Sequence, residues 1–177
     1  MSFATPALPP DWGKPTPAIV QVVEEAAQVS GVPREILYSI IRKESNFNPR
    51  LVGYKNATNS ETFRKSYERY KEQIIPGRNP QGLTWGQMFR PEDWTAYGLM
   101  QLLPYHVVGK TGGVKPGAPL AQLFDATKNI RLAVAYLTAL YRKHGDWSKV
   151  LQVYNGSTVY VRMVLAYADE FKAAAVV

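Results

Sequence analysis

Pro33-Arg34-Glu35-Ile36-Leu37-Tyr38-Ser39-Ile40-Ile41-Arg42-Lys43-Glu44-Ser45-Asn46-Phe47-Asn48-Pro49 sets the architecture of this chain. A proline in the first turn of a helix gives up an N–H that has no partner there, so Pro33 opens a helix. The residue before a proline is pushed out of the α region, so the helix stops near Asn48. Ile36, Leu37, Ile40, Ile41 and Phe47 recur at helical spacing and form its apolar stripe. Glu44 falls on the same stripe, four residues after Ile40 and three after Ile41. Arg34, Glu35, Arg42 and Lys43 lie off its centre and read as solvated charges. A carboxylate on a buried stripe is costly unless it is paired or protonated. Glu44 therefore stands apart from the other charges of this helix.

Outward from this helix the chain reads as mainly α. Residues 1–15 contain Pro6, Pro9, Pro10 and Pro15 with little periodicity, and read as an extended lead-in. Thr16-Pro17 opens a helix whose stripe is Ile19, Val22, Val23, Ala26 and Val29, and Gly31 ends it. The pattern changes over 51–96. Tyr54 to Asn59 is loop-like, Ser60 to Ile75 reads as an amphipathic helix with Phe63, Tyr67, Tyr70 and Ile74 on one face, and Gly77 to Gln87 is a glycine-rich loop. Tyr97-Gly98-Leu99-Met100-Gln101-Leu102-Leu103 is a dense apolar block with one glutamine, whose amide needs partners if buried. A glycine- and proline-rich loop, Thr111 to Pro119, follows. Asp125 caps a long helix with the stripe Ile130, Val134, Leu137 and Leu140, ended by Gly145. Asp146 caps another, carrying Val150, Leu151, Val153 and Tyr154 and stopping at Gly156, and Ser157 to Ala174 is the last helix.

Composition narrows the function classes. A chain of 177 residues with 46% apolar and 20% charged residues builds one core and is ordinary for a globular protein. The absence of cysteine excludes disulfides and thiolate metal sites, and two histidines, His106 and His144, do not make a zinc cluster. His106 reads as a surface or cap residue. No apolar stretch approaches the length of a membrane span. A net charge of +7 suits an anionic partner, but the basic residues are dispersed, so nothing points to a specific nucleic acid. Met1 to Pro10 has neither a basic n-region nor an apolar h-region, so no secretory signal is visible.

Chemistry gives Glu44 a role. Breaking a glycosidic bond requires a proton on the leaving oxygen while positive charge develops on the sugar. A carboxylic acid delivers that proton near neutral pH when burial against apolar residues keeps it protonated. The usual partner is a second carboxylate. Near the Gly-Leu-Met-Gln block only Glu92 and Asp93 are placed to supply one, and Asp93 is the candidate.

Four short motifs stand in order: Glu44-Ser45-Asn46-Phe47-Asn48-Pro49, Tyr97-Gly98-Leu99-Met100-Gln101-Leu102, Asn129-Ile130 with Ala135-Tyr136-Leu137, and Tyr154-Asn155-Gly156. Together they resemble the catalytic domain of the soluble lytic transglycosylases, which is related to goose-type lysozyme. The resemblance implies a mainly α, lysozyme-like single domain over 16–177, preceded by the 1–15 lead-in, with a cleft for peptidoglycan glycan strands. It implies Glu44 as the catalytic acid, Gln101, Tyr154, Asn155 and Tyr97 around it, Met100 in the wall of the cleft, and no cofactor or metal. Cleavage of the β-1,4 bond between N-acetylmuramic acid and N-acetylglucosamine would then need no second carboxylate, because the muramyl 6-hydroxyl attacks its own anomeric carbon.

The chain departs from the family pattern in three places. Residues 51–96 lengthen the path from the glutamate to the Gly-Leu-Met-Gln block, so they read as an insertion bordering the cleft, partly irregular and with room for a small hairpin. Gly53 stands where the family has a serine nine residues after its glutamate. The usual Tyr-Asn-Ala-Gly reads Tyr154-Asn155-Gly156-Ser157. The alternatives are a hydrolytic muramidase on the same fold, with Asp93 as the second carboxylate, and an idle wall-binding or structural module. A wall-directed enzyme without a signal suggests delivery to the periplasm by a phage virion, a lysis system or a secretion apparatus, with proteins of those assemblies as partners.

Overall fold

The computed structural model describes residues 3–4, 6–53, 96–103, 107 and 120–174. The expected Ser60–Ile75 helix, the Gly77–Gln87 and Thr111–Pro119 loops, Asp93 and His106 lie outside these residues.

The described residues are mainly helical. Helix α1, Pro17–Ser30, starts where Thr16 accepts a hydrogen bond from the Ile19 N–H at 3.3 Å, with Pro17 in its first turn. Its buried face is Ile19, Val20, Val23 and Ala26; Val29, expected on the stripe, is 88% exposed. Val29 instead lines the open rim of a surface cavity together with Ala26 and Val134.

Helix α2, Arg34–Ser45, carries Pro33 at its cap position and buries every residue from Ile36 to Ile41. Six consecutive buried residues cover all sides of a helix, so α2 is central rather than amphipathic. It ends earlier than Asn48, because Asn46 takes the left-handed conformation and its N–H caps the Arg42 carbonyl.

Three helices close the core: α3 (Ala126–His144), α4 (Trp147–Asn155) and α5 (Thr158–Ala174). Asp125 and Asp146 cap α3 and α4 by accepting from the N–H groups of Lys128 and Lys149, as their sequence positions require. A short 3-10 helix, Leu120–Phe124, leads into α3. The most extensive helix contact is α2 on α5, followed by α1 on α3. Tyr38 of α2 stacks on Phe171 of α5 with ring centroids 4.8 Å apart. Strand β1, Val52–Gly53, pairs antiparallel with β2, Ala96–Tyr97, in the register Val52 to Tyr97 and Gly53 to Ala96. The chain thus leaves at residue 53 and returns at residue 96 through paired strands.

Tyr38 is fully buried and its hydroxyl donates to Glu24 at 3.1 Å. Burial first, then the Glu24 charge and this hydrogen bond, push its pKa well above the ordinary tyrosine value, against the pull of Arg34. Below about pH 10 both folded and unfolded chains keep this proton; above it the unfolded chain releases the proton and the folded chain does not, so stability falls as pH rises. Tyr38→Phe is expected to cost about 1 kcal/mol at neutral pH. The same variant should show a shallower loss of stability between pH 9 and 11 in denaturant titrations. Parallel alkaline slopes for the two proteins would show that Tyr38 does not carry the effect.

Candidate active site

The Gly98–Gln101 turn is built by backbone and held by one side chain. Tyr97 and Leu102 exchange both N–H···O bonds, at 3.0 and 3.1 Å, closing a tight loop over Gly98, Leu99, Met100 and Gln101. Gly98 has φ +75°, and a Cβ there would stand 2.5 Å from the Leu123 carbonyl oxygen and 2.6 Å from Asn129 Nδ2. Only glycine meets both demands. Asn129, fully buried at the start of α3, donates to the carbonyls of Tyr97 at 2.9 Å and Leu123 at 2.8 Å and accepts from the Met100 N–H at 2.9 Å. The sequence marks Asn129 as part of a motif, but nothing in its local pattern announces this clamp.

Gln101 is the strained member of the loop, a non-glycine residue at φ +47°. Its amide Nε2 donates to the carbonyls of Leu51 at 3.1 Å and Gly98 at 2.9 Å. Both amide donors are thereby used, and Oε1 remains as an acceptor. That oxygen lies against Gly53: a Cβ on residue 53 would stand 2.2 Å from it. The glycine that replaces the expected serine thus makes room for the Gln101 amide. Leu51 also accepts the Gly98 N–H at 2.9 Å, so the segment leaving α2 is tied directly to this loop.

Glu44 is the penultimate residue of α2 and is half-buried. Two phenols feel its carboxylate. Tyr154, near the end of α4, donates its hydroxyl to the Met100 carbonyl at 2.7 Å. Burial raises its pKa well above the ordinary value, and the charge of Glu44 and then Tyr136 add to the rise. Tyr160, in the first turn of α5, is likewise pushed up by burial first, then by the Glu44 charge, by Tyr154 and by hydrogen bonding to Glu44. The buried Tyr160 hydroxyl makes no hydrogen bond of good geometry, although Glu44 acts on it electrostatically. Tyr160 is absent from the expected site. It shares a helical stripe with Val164 and Phe171, and a tyrosine on such a stripe reads as core.

The other expected residues take different positions. Tyr97 is 8% exposed, with its ring edge-on to Phe124 at 5.6 Å, and the Met100 side chain is fully buried. Both support the loop from beneath, Met100 presenting its carbonyl to Tyr154. Asn155 is exposed at the end of α4. A surface cavity between α1 and α3, lined in part by Ala26, Val29, Val134 and Thr138, contains none of the site residues. Among the described residues no cluster of His, Asp and Glu could hold a metal ion.

Glu44, the Gly98–Gln101 loop, Asn129 and Tyr154 meet in one region although they come from distant parts of the chain. The model of the transglycosylase SLT domain family matches residues 21–177, spanning all of them. The chain belongs to the transglycosylase SLT domain family. No curated protein and no solved structure matches it. Membership gives the SLT domain a peptidoglycan-cleaving role of the lytic-transglycosylase type, directed at the cell wall. No helix among the described residues is long and apolar enough to cross a membrane.

Two substitutions test how this SLT domain holds its loop. Asn129→Asp replaces the amide donor by an acceptor facing two carbonyls, and should destabilise the fold by about 3 kcal/mol or more in urea titrations. A change below about 1 kcal/mol would show that the clamp is dispensable. Gly53→Ala should cost no more than about 1 kcal/mol of stability, because the close contacts are side-chain atoms, the Gln101 amide and, at 3.3 Å, the Ala96 Cβ. Wall cleavage should nevertheless fall several-fold in this variant, because that amide has to move. Unchanged cleavage would separate Gln101 from the site.

Proposed function

We propose that the site cleaves the β-1,4 bond between N-acetylmuramic acid and N-acetylglucosamine and leaves 1,6-anhydromuramyl ends. Glu44 is the general acid and then the base. Its carboxyl proton passes to the glycosidic oxygen as the bond from that oxygen to the muramyl anomeric carbon breaks. The resulting carboxylate takes the proton of the muramyl 6-hydroxyl while O6 closes on the anomeric carbon. Glu44 recovers its proton, and no water is consumed. The observation that carries this reading is the link from Glu44 to the Gly98–Gln101 loop through Tyr154, whose hydroxyl donates to the Met100 carbonyl at 2.7 Å while the Glu44 charge acts on it. Tyr154 and Tyr160 are both held in the neutral form, so neither places a second negative charge beside Glu44.

Gln101, Tyr97, Met100 and Asn155 complete the proposed site. Gln101 Oε1 serves as an acceptor for a sugar hydroxyl or amide N–H, Asn155 reaches substrate from the exposed end of α4, and Tyr97 and Met100 hold the loop. The net charge of +7 favours approach to an anionic wall. Delivery by a virion, a lysis system or a secretion apparatus fits such an enzyme.

Glu44→Gln keeps shape and removes the transferable proton, so it should lower release of muropeptides from purified sacculi by at least about 100-fold with the fold intact. Mass spectrometry of the wild-type digest should show anhydro ends, lighter by one water than hydrolysed ones. Reducing muramyl ends as the main product would make water the acceptor and the enzyme a muramidase. Retained cleavage in Glu44→Gln would reject Glu44 as the acid, and absence of any cleavage by the wild type would favour a wall-binding module.

A further inference from the structure

The lead-in expected to be merely extended carries a buried tryptophan. Pro9 to Trp12 makes one turn, with the Trp12 N–H donating to the Pro9 carbonyl at 3.0 Å. Trp12 is 4% exposed. Its indole lies against Phe47 at 6.4 Å, Tyr167 at 5.6 Å and Phe171 at 6.3 Å, and Nε1–H donates to Glu170 at 3.2 Å. The Pro9–Trp12 turn precedes the family match, which begins at residue 21, and packs on residues inside it.

The neighbouring contacts converge on one side chain. The Gly13 N–H donates to Asn46 Oδ1 at 2.8 Å, and Arg42 donates to the same oxygen at 3.0 Å. Asp11 pairs with Arg42 at 3.7 Å, and the Arg42 guanidinium lies over the Tyr167 ring at 5.4 Å. The approach of Gly13 is close enough that a Cβ would stand 2.4 Å from the Asn46 carbonyl oxygen and 2.7 Å from Oδ1.

What this strap grips is the turn that follows Glu44. Asn46 and Phe47 have φ +48° and +66°, two consecutive non-glycine residues in the left-handed region. Asparagine tolerates that conformation; phenylalanine does so only when its surroundings hold it there. The same run continues through Asn48, whose N–H donates to the Ser45 carbonyl, to Leu51, whose carbonyl accepts from Gly98 and Gln101. The turn therefore fixes both the last turn of α2, which carries Glu44, and the tie from α2 to the Gln101 loop.

We propose that Trp12 and Gly13 are positioning residues of the active site. They hold the Asn46–Phe47 turn in its left-handed form, and through it fix Glu44 relative to Tyr160 and Gln101. This rests on Glu44 being the acid. A purely structural plug between α2 and α5 would lower stability alone; a positioning strap must also alter the turnover of molecules that remain folded.

The test compares wild type, Glu44→Gln, Trp12→Phe, Trp12→Ala, Gly13→Ala and Asn46→Gly. Initial rates of muropeptide release are measured over a range of sacculus concentrations, well below each melting midpoint, with the folded fraction read by circular dichroism. Glycine adopts the Asn46 backbone freely but cannot bond Gly13 or Arg42, so Asn46→Gly stays folded and isolates the tie from the strain. Per folded molecule, Gly13→Ala and Asn46→Gly should lose about ten-fold in kcat with KM within about two-fold, as expected for an acid displaced from a bound substrate. Trp12→Phe should retain most of the turnover that Trp12→Ala loses. Wild-type kcat per folded molecule in both Gly13→Ala and Asn46→Gly would overturn the proposal, whatever happens to their melting points. Equal rates for wild type and Glu44→Gln would instead overturn the catalytic reading on which it rests.

Discussion

The buried carboxamide of Asn129 is the interaction on which the site depends. Among the described residues the sheet beside it is one pair of two-residue strands, too small to be stable by itself. A loop hung on such a sheet needs another support, and Asn129 supplies it from the first turns of α3. It uses both its donors and its acceptor on three backbone groups, in Tyr97, Met100 and Leu123. A hydrophobic residue of the same size would leave the Met100 N–H and the Leu123 carbonyl unpaired, the Tyr97 carbonyl keeping the Leu102 N–H, and an aspartate would repel both carbonyls. The same contact explains Gly98, since the Asn129 amide occupies the space where a Cβ would project. A helix with strong caps and a wide apolar face thus lends its rigidity to a loop that has little of its own.

Strain in the described backbone gathers in the same region. The non-glycine residues at positive φ are Asn46, Phe47 and Gln101. Such conformations cost on the order of 1–3 kcal/mol each and persist only where neighbours determine them. Here the determining contacts are identifiable. Asn46 is held by Gly13 and Arg42, Phe47 by Trp12 and Tyr38, and Gln101 by the carbonyls of Leu51 and Gly98. The core therefore does more than stabilise the fold: its aromatic cluster of Trp12, Tyr38, Phe47 and Phe171 holds the backbone that follows Glu44 in a conformation it would not choose alone.

The helices were legible in the sequence because their signals are local. Thr16, Asp125 and Asp146 cap where a hydroxyl or carboxylate precedes an apolar period, and Gly31, Gly145 and Gly156 end what they start. The features that escaped are those whose partner is distant in the chain. Trp12 sits among prolines without periodicity, and its burial is decided by α5. Strands of two residues have no period to read, so β1 and β2 are recognisable only as a pair. The sequence carries the end of α2 toward Asn48, because nothing local shows that Gly13 and Arg42 hold Asn46 in a left-handed cap. Arg42 reads as a solvated charge by its offset from the stripe, yet it is the residue that joins Asp11, Asn46 and Tyr167. Among the proposed site residues, Glu44 stands out as a charge on an apolar face and Gln101 as an amide in an apolar block. Tyr160 does not, because an apolar stripe conceals a hydroxyl.

On the proposed mechanism the two phenols have unequal tasks, and the hydrogen bonds already present assign them. A tyrosine hydroxyl has one proton to donate and lone pairs with which to accept. Tyr154 has spent its proton on the Met100 carbonyl, so it cannot donate to a carboxylate. What it contributes is position: it joins the end of α4 to the Gly98–Gln101 loop while keeping a neutral group beside Glu44. The Tyr160 proton is not committed in this way, and Glu44 acts on its hydroxyl electrostatically. Glu44 must carry a proton in the first step and a negative charge in the second. A phenol can accept from the carboxylic acid and donate to the carboxylate by turning its hydroxyl, whereas an ammonium group could serve only the charged form. A neutral, buried, uncommitted hydroxyl is therefore the kind of neighbour that a group acting first as acid and then as base can keep through both steps.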